Sequence, residues 1–223
     1  MNPKYLDEKV DANNEFSSFF YTEGSENADL KVMFVGNSIT IHEVRPRIGW
    51  NSFCGMAASD MEHDYVHIVY RHLLEKYKSV SICVCNGGRW EKSYTDPNHL
   101  KPIVDLMNKY QPDIIIIRIG ENYNRDYIKE GHNPYFAFND LFKAAKAVTN
   151  NVVTTSLFWE WELIDNTIQK VALENNAKFV YIGDLEKDPS NKALGQFENI
   201  DVSHHPNNKG MKEIADRIIR LLD

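Results

Sequence analysis

The chain has 223 residues and a formal net charge of −7 at pH 7, and 43% of its residues are hydrophobic. That length suits one domain with a substantial buried core and makes two domains a poor fit. The negative charge argues against binding to a phosphate backbone, which needs a basic surface, so we expect no nucleic-acid partner. No apolar stretch approaches the roughly 20 residues that span a bilayer, so we also expect no membrane partner.

The N-terminal part of the chain, residues 1–29, is polar and acidic and lacks the apolar segment of a signal peptide. We expect it to form an irregular or edge-covering segment before a single domain that spans residues 30–223. The sequence as written predicts a cytoplasmic protein, or a secreted or periplasmic one if a leader has been removed. It leaves the oligomeric state open.

Five short apolar runs, rich in Val and Ile, alternate with longer segments of helical spacing. The runs lie at 30–36, 79–86, 113–120, 151–158 and 178–184, and the helical segments at 56–77, 97–110, 133–149, 160–176 and 207–223. Because the runs are continuous rather than alternating, they fit strands buried on both faces of a parallel sheet. We predict a three-layer α/β/α sandwich with a five-stranded parallel sheet.

Polar turns follow the predicted strands, at the edge where open parallel sheets bind their ligands. Ser38 follows the first strand in GNSIT, the turn NGGRWEKS follows the second, and Asn122 follows the third in GENYN. The stretch DVSHHPNNKG, with Asp201 and His205, precedes the last helix. We expect these four stretches to meet at one rim.

The residue types at this rim suit acyl transfer. A serine hydroxyl is a poor nucleophile at neutral pH and needs an adjacent base, usually a histidine oriented by a third group. Backbone N–H groups and an Asn amide aimed at developing negative charge form an oxyanion hole. Taken singly, Ser38 fits a turn or a helix cap and Asn122 fits a turn. Their occurrence together with the histidine stretch favours a serine hydrolase.

The ordered motifs GNSIT, GEN and HPNNKG resemble three sequence blocks of the SGNH hydrolases, the GDSL-type esterase and lipase superfamily, over residues 31–219. The resemblance implies a flavodoxin-like sheet of strand order 2-1-3-4-5 and a hydrolase that needs no metal and no organic cofactor. It also implies that Ser38 is the nucleophile, His205 the base and Asn122 the side-chain donor of the oxyanion hole. In this family, backbone N–H groups of the serine and of a glycine complete that hole.

The histidine block departs from the family pattern. D-x-x-H selects Asp201 with His204, whereas H-P-N-x-x-G selects His205, which we favour because the distance to the helix start fixes the position of the ring. The acid of the triad therefore stays open. Three arrangements fit the sequence. In the first, Asp201 is the acid that contacts the histidine. In the second, another carboxylate such as Glu160 takes this place, and in the third the enzyme works as a Ser–His dyad without an acid.

The glycine block also departs from the pattern, because Glu91 stands in NGGRWE where the oxyanion glycine is expected. Since every residue but proline supplies a backbone N–H, the N–H groups of Glu91 and Gly88 are alternative donors. We place Arg89 and Trp90 in the substrate pocket, with packing of Trp90 in the core as the alternative.

Three further residues are candidates for substrate binding: Asn37, which replaces the usual aspartate of the family, Glu121 and Trp159. Arg118, in a buried strand, needs a carboxylate partner, which Glu121 or Glu91 would provide. We expect the segment 45–59 to form part of the pocket wall or a lid.

The predicted substrate is a small-molecule ester. The side chains of Trp50, Trp90 and Trp159 suit stacking on a sugar, and the chain shows no long apolar lid of an interfacial lipase. A short-chain acyl ester, such as an acetyl ester of a carbohydrate, is therefore our prediction. The alternatives are a lysophospholipase or thioesterase, a catalytically degraded carbohydrate-binding module on the same fold, and a flavodoxin-like nucleotide or flavin binder. GNSITIHE is a thin match to the phosphate loop that the last of these needs.

Overall fold

The computed structural model describes residues 3–6 and 17–223, and within them a seven-stranded sheet forms the centre of the molecule. Its strands are β1 Lys4–Tyr5, β2 Phe19–Glu23, β3 Leu30–Gly36, β4 Val80–Asn86, β5 Ile114–Arg118, β6 Val152–Thr155 and β7 Lys178–Val180. The order is β1-β2-β4-β3-β5-β6-β7, and the five strands from β3 to β7 run parallel. Their order among themselves is 2-1-3-4-5, and the α/β class with this order is confirmed.

The number of strands differs from the prediction, because β1 and β2 extend the sheet. β2 pairs antiparallel with β4 and β1 pairs antiparallel with β2. Both strands lie in the N-terminal segment 1–29, so this segment contributes an edge of the sheet. Residues 1–2 and 7–16 of the same segment lie outside the described residues.

Eight α-helices occur among the described residues: α1 Tyr65–Lys76, α2 Gly88–Lys92, α3 Lys101–Tyr110, α4 Arg125–Lys129, α5 Pro134–Val148, α6 Glu162–Glu174, α7 Ile200–Ser203 and α8 Asn208–Leu222. The five long helices correspond to the five predicted helical segments. The short helices α2 and α7 lie in stretches predicted to be turns, and α4 lies in a stretch for which no element was predicted. None of the described helices combines the length and apolar character of a membrane span.

The sheet is buried on both faces, which explains the continuous apolar runs. In β3, Val32 and Phe34 point into one core, shared with α1 and α8. Met33 and Val35 point into the other core, shared with α3, α5 and α6. All four side chains are fully buried, as period-two alternation between two covered faces requires.

Three strands end at the same level of the sheet. Gly36, the last residue of β3, pairs with Asn86 of β4 on one side and with Arg118 of β5 on the other. A Cβ atom on Gly36 would lie 1.8 Å from Thr40 Oγ1 and 2.7 Å from the Arg118 carbonyl oxygen, so only glycine fits there. The turns that follow these strands therefore meet at one rim.

Candidate active site

The turn after β3 holds Ser38 at the rim. The N–H groups of Thr40 and Ile41 donate to the Asn37 carbonyl oxygen at 2.9 and 3.0 Å. The Ser38 carbonyl accepts from the Met56 N–H at 2.8 Å, which ties the turn to the segment 45–59. Among the described residues, the Ser38 N–H has no hydrogen-bond acceptor. This donor is therefore free to bind a group held beside the hydroxyl.

His205 is the histidine that contacts Ser38. Ser38 Oγ lies 2.9 Å from His205 Nε2, whereas His204 is exposed. The loop that carries His205 is fixed from both sides, because its N–H donates to the Val202 carbonyl at 3.1 Å and its own carbonyl accepts from Ala193 at 3.0 Å. The pair that the H-P-N-x-x-G spacing predicts is thus in hydrogen-bond contact.

A main-chain carbonyl orients the His205 ring. His205 Nδ1 lies 2.7 Å from the carbonyl oxygen of Asp201. A carbonyl only accepts hydrogen bonds, so the Nδ1 atom must carry the proton and Nε2 is the unprotonated, basic nitrogen. The short helix α7 produces this contact, because one helical turn brings the carbonyl of residue 201 next to the side chain four residues later.

The predicted acids do not complete a triad in this structure, which corrects the assignment of Asp201 as the acid. The Asp201 side chain is exposed, and only its main chain contacts His205. Val202, at the position three residues before His205, is buried and has no ionisable group. Glu160 is exposed and engaged elsewhere, 2.8 Å from Lys187 Nζ and 2.7 Å from the Tyr181 hydroxyl. Of the three arrangements considered, the geometry matches the dyad.

Burial keeps His205 neutral. Burial lowers the pKa of His205 to about 3, against the hydrogen bond to the Asp201 carbonyl, which raises it. The rings of Trp159 and His205 pack in a T-shaped arrangement, with their centroids 4.8 Å apart at an interplanar angle of 81°. The imidazole is therefore held in one orientation and in its basic form.

A buried carboxylate holds Asn122 at the end of β5. Asn122 donates twice to Glu91, from its N–H to Oε1 and from Nδ2 to Oε2, both at 2.9 Å. Glu91 is fully buried in α2, directly behind the rim. Burial and the nearby Glu121 carboxylate raise the pKa of Glu91, while the donors from Asn122 and Asn37 oppose that shift.

The second oxyanion donor differs from the prediction. The Glu91 N–H donates to the Gly87 carbonyl at 3.0 Å within α2, so it does not face the site. The Gly88 N–H donates to Asn86 Oδ1 at 2.8 Å. Both predicted backbone donors therefore already have acceptors. The Ser38 N–H and the Asn122 side-chain amide are therefore the two predicted donors that remain for an oxyanion.

Two predicted substrate-binding residues belong instead to a buried polar network. Asn37 is almost fully buried, and its Nδ2 donates to Glu91 at 3.1 Å and to Glu121 at 2.6 Å. Arg118 donates to Asn37 Oδ1 at 3.0 Å and forms a fully buried ion pair with Glu121. The strand arginine thus has Glu121 as its partner. Asn37 and Glu121 reach the site edge, but their polar groups are largely bonded to each other and to this network.

Of the predicted aromatic residues, one lies at the site. Trp90 is 1% exposed and packs against Tyr123 and Phe138 in the core, so the packing alternative holds for it. Trp50 is also buried. Arg89 donates from Nε to His99 at 3.3 Å and does not line the cavities described below. Trp159 alone of the three tryptophans is beside Ser38.

Two cavities meet at Ser38, and each is lined also by Asn122, Asp201 and His205. One is narrow, with a volume of about 190 Å³, and extends towards strand β2 and the segment 45–59. Its walls contain Phe19, His42, Glu43, Arg45, Ile48 and Met56. The other, of about 530 Å³, is lined by Glu121, Trp159, Ile200 and His204. An ester bound at Ser38 thus has separate spaces for its acyl and alcohol parts.

No protein-family model matches the sequence, and no curated protein matches it. Solved structures do match. A family 3 carbohydrate esterase from Clostridium thermocellum has a TM-score of 0.59 and 18% identity, over 86% of this chain and 94% of its own. A putative GDSL-like lipase from Parabacteroides merdae has a TM-score of 0.54 and 17% identity, over 87% and 95%. The chain has an SGNH/GDSL hydrolase-like fold. A family two carbohydrate esterase from Clostridium thermocellum, in complex with cellohexaose, matches at a TM-score of 0.53 and 16% identity, over 86% of this chain and 63% of its own.

The SGNH-like fold brings together residues that sequence reasoning missed. Phe19 enters the narrow cavity from β2, whose sequence FFYT has a high β propensity and was the signal that could have identified this strand. Arg45, Ile48 and Met56 were not singled out individually, although the segment 45–59 that contains them was expected to form part of the pocket wall or a lid. The Glu91 side chain had no signal beyond its unusual position in the glycine block. Among the described residues, no group of three or more His, Cys, Asp or Glu side chains is arranged to hold a metal ion.

Proposed function

We propose that this protein is a serine esterase that hydrolyses a short-chain acyl ester of a carbohydrate or a similar small molecule. The observation that carries the proposal is the 2.9 Å contact between Ser38 Oγ and the basic Nε2 of His205. An SGNH-like fold with this pair at its rim supports ester hydrolysis over a nucleotide- or flavin-binding role.

The mechanism follows from the positions of these groups. His205 Nε2 takes the hydroxyl proton as Ser38 Oγ attacks the ester carbonyl, and the Ser38 N–H and Asn122 amide stabilise the tetrahedral oxyanion. When the intermediate collapses, the same nitrogen returns the proton to the leaving alcohol. Water then attacks the acyl-enzyme with His205 again as base, and releases the acid and the free serine.

The Asp201 carbonyl takes the orienting place that a carboxylate has in a triad. Its hydrogen bond fixes the tautomer of His205, and the negative end of its dipole stabilises the imidazolium that forms during the reaction. A neutral carbonyl stabilises that cation less than a carboxylate does, because it carries only a partial charge. We therefore expect a functional dyad of modest turnover.

Three features support a short acyl group and a sugar-like alcohol. The narrow cavity of about 190 Å³ suits a small acyl group better than a long chain. The larger cavity places Trp159 beside the reacting atoms, where an aromatic face suits stacking on a sugar ring. Two of the similar solved structures are those of carbohydrate esterases.

The test is hydrolysis of p-nitrophenyl acetate, butyrate and octanoate by the wild type, Ser38→Ala and His205→Ala. We expect the acetate ester to react fastest and both variants to lose activity, with an acetyl adduct on Ser38 found by mass spectrometry after rapid quenching. Acetylated xylo- and cello-oligosaccharides then test the alcohol. Equal rates for the wild type and Ser38→Ala would refute the esterase, and sugar binding without hydrolysis would favour a binding module.

A further inference from the structure

We propose that Glu91 is a positioning residue of the oxyanion hole, whose buried carboxylate sets the orientation of the Asn122 amide relative to Ser38. The inference rests on the esterase function proposed above. The SGNH resemblance leads one to expect a glycine at position 91, whose backbone N–H would donate to the oxyanion. In this chain the side chain of Glu91 serves the oxyanion hole instead, by holding Asn122.

The Glu91 carboxylate has four hydrogen-bond donors and is 0% exposed. Oε1 accepts from the Gly120 N–H at 2.6 Å, the Asn122 N–H at 2.9 Å and Asn37 Nδ2 at 3.1 Å. Oε2 accepts from Asn122 Nδ2 at 2.9 Å. Both the backbone and the side chain of Asn122 are therefore tied to one carboxylate.

The same carboxylate is linked to the nucleophile turn. Asn37, which donates to Glu91, accepts from the Ile39 N–H at 3.3 Å through Oδ1. Ser38 lies between these two residues in sequence, so Glu91 connects the turn of the nucleophile with the loop of the oxyanion donor. The guanidinium of Arg118 donates to Asn37 at 3.0 Å and forms an ion pair with Glu121, the second carboxylate of this network.

This contact determines what Asn122 presents to the substrate. The Nδ2 group has two hydrogens, of which one goes to Glu91 and the other remains for the oxyanion. An acceptor at Oε2 allows only the nitrogen of the amide, not its oxygen, to take this place. Donors held in advance of the reaction stabilise the transition state without reorganisation.

Glu91→Gln tests this arrangement with almost no change of shape. Three donors meet Oε1, so the Gln oxygen takes that place and its NH₂ group faces Asn122. Two amide donors then meet, and Asn122 turns its oxygen towards the glutamine. A lone pair of the Asn122 oxygen then points to the position of the oxyanion, where an Nδ2 hydrogen pointed in the wild type. The hole therefore has an acceptor in place of a donor. We expect kcat for p-nitrophenyl acetate to fall by about 10²–10³-fold, as for loss of an oxyanion donor, with little change in KM.

The matched control is Asp165→Asn. Asp165 is also a buried carboxylate, and it accepts from the N–H groups of Leu157 at 2.7 Å and Trp161 at 2.8 Å without contact to Asn122. We expect this variant to lose thermal stability but to retain kcat within about 3-fold. If both variants lose kcat in proportion to stability, Glu91 is structural and the inference is wrong.

A double-mutant cycle with Asn122→Ala gives the decisive comparison. Glu91→Gln should have less than about 2-fold further effect on kcat once the Asn122 amide is absent. An undiminished loss of kcat in the Asn122→Ala background would show that Glu91 acts through another group.

The Asn122 side-chain amide signals in a ¹⁵N correlation spectrum, assigned by their loss in Asn122→Ala, should shift in Glu91→Gln and not in Asp165→Asn. This readout needs no turnover, so it tests the contact between Glu91 and Asn122 separately from the esterase proposal, and an unshifted signal would overturn the inference.

If Glu91→Gln does not fold, the contact can be tested by exchanging its two partners, so that the amide is at position 91 and the carboxylate at position 122. Asn122→Asp sets a second carboxylate against the buried one of Glu91 and should destabilise the protein, while Glu91→Gln with Asn122→Asp restores a donor–acceptor contact. We expect the double variant to regain thermal stability relative to Asn122→Asp and to remain inactive. Equal instability of the single and double variants would contradict the contact.

Discussion

At the residue scale, the properties of His205 depend on its burial and on one carbonyl. Burial lowers its pKa from the usual 6.5 to about 3, so the free protein holds the base in its reactive form over most of the acidic range. Because the pKa in the folded state is depressed, its contribution to stability is present above pH 6.5 and is lost as the pH falls towards 3. The proposed activity and the stability of the fold therefore depend on the same proton.

The pH dependence follows directly. We expect the acid limb of kcat/KM for p-nitrophenyl acetate to lie well below pH 6.5, because His205 becomes protonated only near pH 3. The measurement is a pH–rate profile, with thermal unfolding recorded at each pH to separate loss of the fold from loss of the base. A single apparent pKa near 6.5 would contradict the burial of the ring in the free protein.

A second prediction concerns Asp201, whose carbonyl rather than carboxylate faces His205. Asp201→Asn leaves that carbonyl in place, so we expect kcat/KM to change by less than about 3-fold, against the ~10⁴-fold loss typical of a missing triad acid. His205→Ala is the control that removes the base itself. A large loss in Asp201→Asn would mean that the exposed carboxylate reaches the ring during the reaction.

At the element scale, the start of α8 places the loop of His205. Asn207 caps the helix by accepting from the Gly210 N–H at 3.1 Å, and its own N–H donates to the Asn191 carbonyl at 3.0 Å. A Cβ atom on Gly210 would lie 2.2 Å from that same carbonyl oxygen. The helix therefore needs glycine here, although glycine is a poor helix former.

Gly210→Ala tests this packing. The clash with the backbone should outweigh the ~1 kcal/mol that alanine adds in helix propensity, for a net loss of roughly 1–3 kcal/mol in the free energy of unfolding. Lys212→Ala, exposed on the same helix, is the control and should change stability by less than about 0.5 kcal/mol. Urea unfolding of the three proteins measures both values. An unchanged or increased stability of Gly210→Ala would show that the backbone at Asn191 moves aside at little cost in free energy.

At the scale of the whole molecule, the N-terminal strands β1 and β2 extend the sheet beyond β4. β2 covers β4, and Phe19 and Tyr21 enter the core that α1 and α8 also cover. Tyr21 contacts His67 of α1, with its hydroxyl 3.1 Å from Nε2. Covering an edge strand removes a template for pairing with other chains. The same strand also brings Phe19 to the narrow cavity.

We expect Phe19→Ala to lower the free energy of unfolding by about 3–5 kcal/mol, because a buried ring is replaced by a cavity. Thr22→Ala, at an exposed position of the same strand, is the matched control with an expected change below about 0.5 kcal/mol. Chemical unfolding with tryptophan fluorescence as the signal measures both. Similar stabilities of the two variants would mean that β2 contributes little to the core.

Much of this protein can be read from local patterns. The continuous apolar runs predict parallel strands, and parallel strands end at one edge, so Ser38, Asn122 and His205 were expected at one rim. Packing in three dimensions settled the remaining points. Whether a carboxylate or a carbonyl meets His205 depends on the helical turn of α7, and short spacing does not predict it. Whether the N–H or the carboxylate of Glu91 takes part in the site depends on α2. The N–H of Glu91 is hydrogen-bonded to the Gly87 carbonyl, whereas its carboxylate lies beneath the rim and accepts from Asn122.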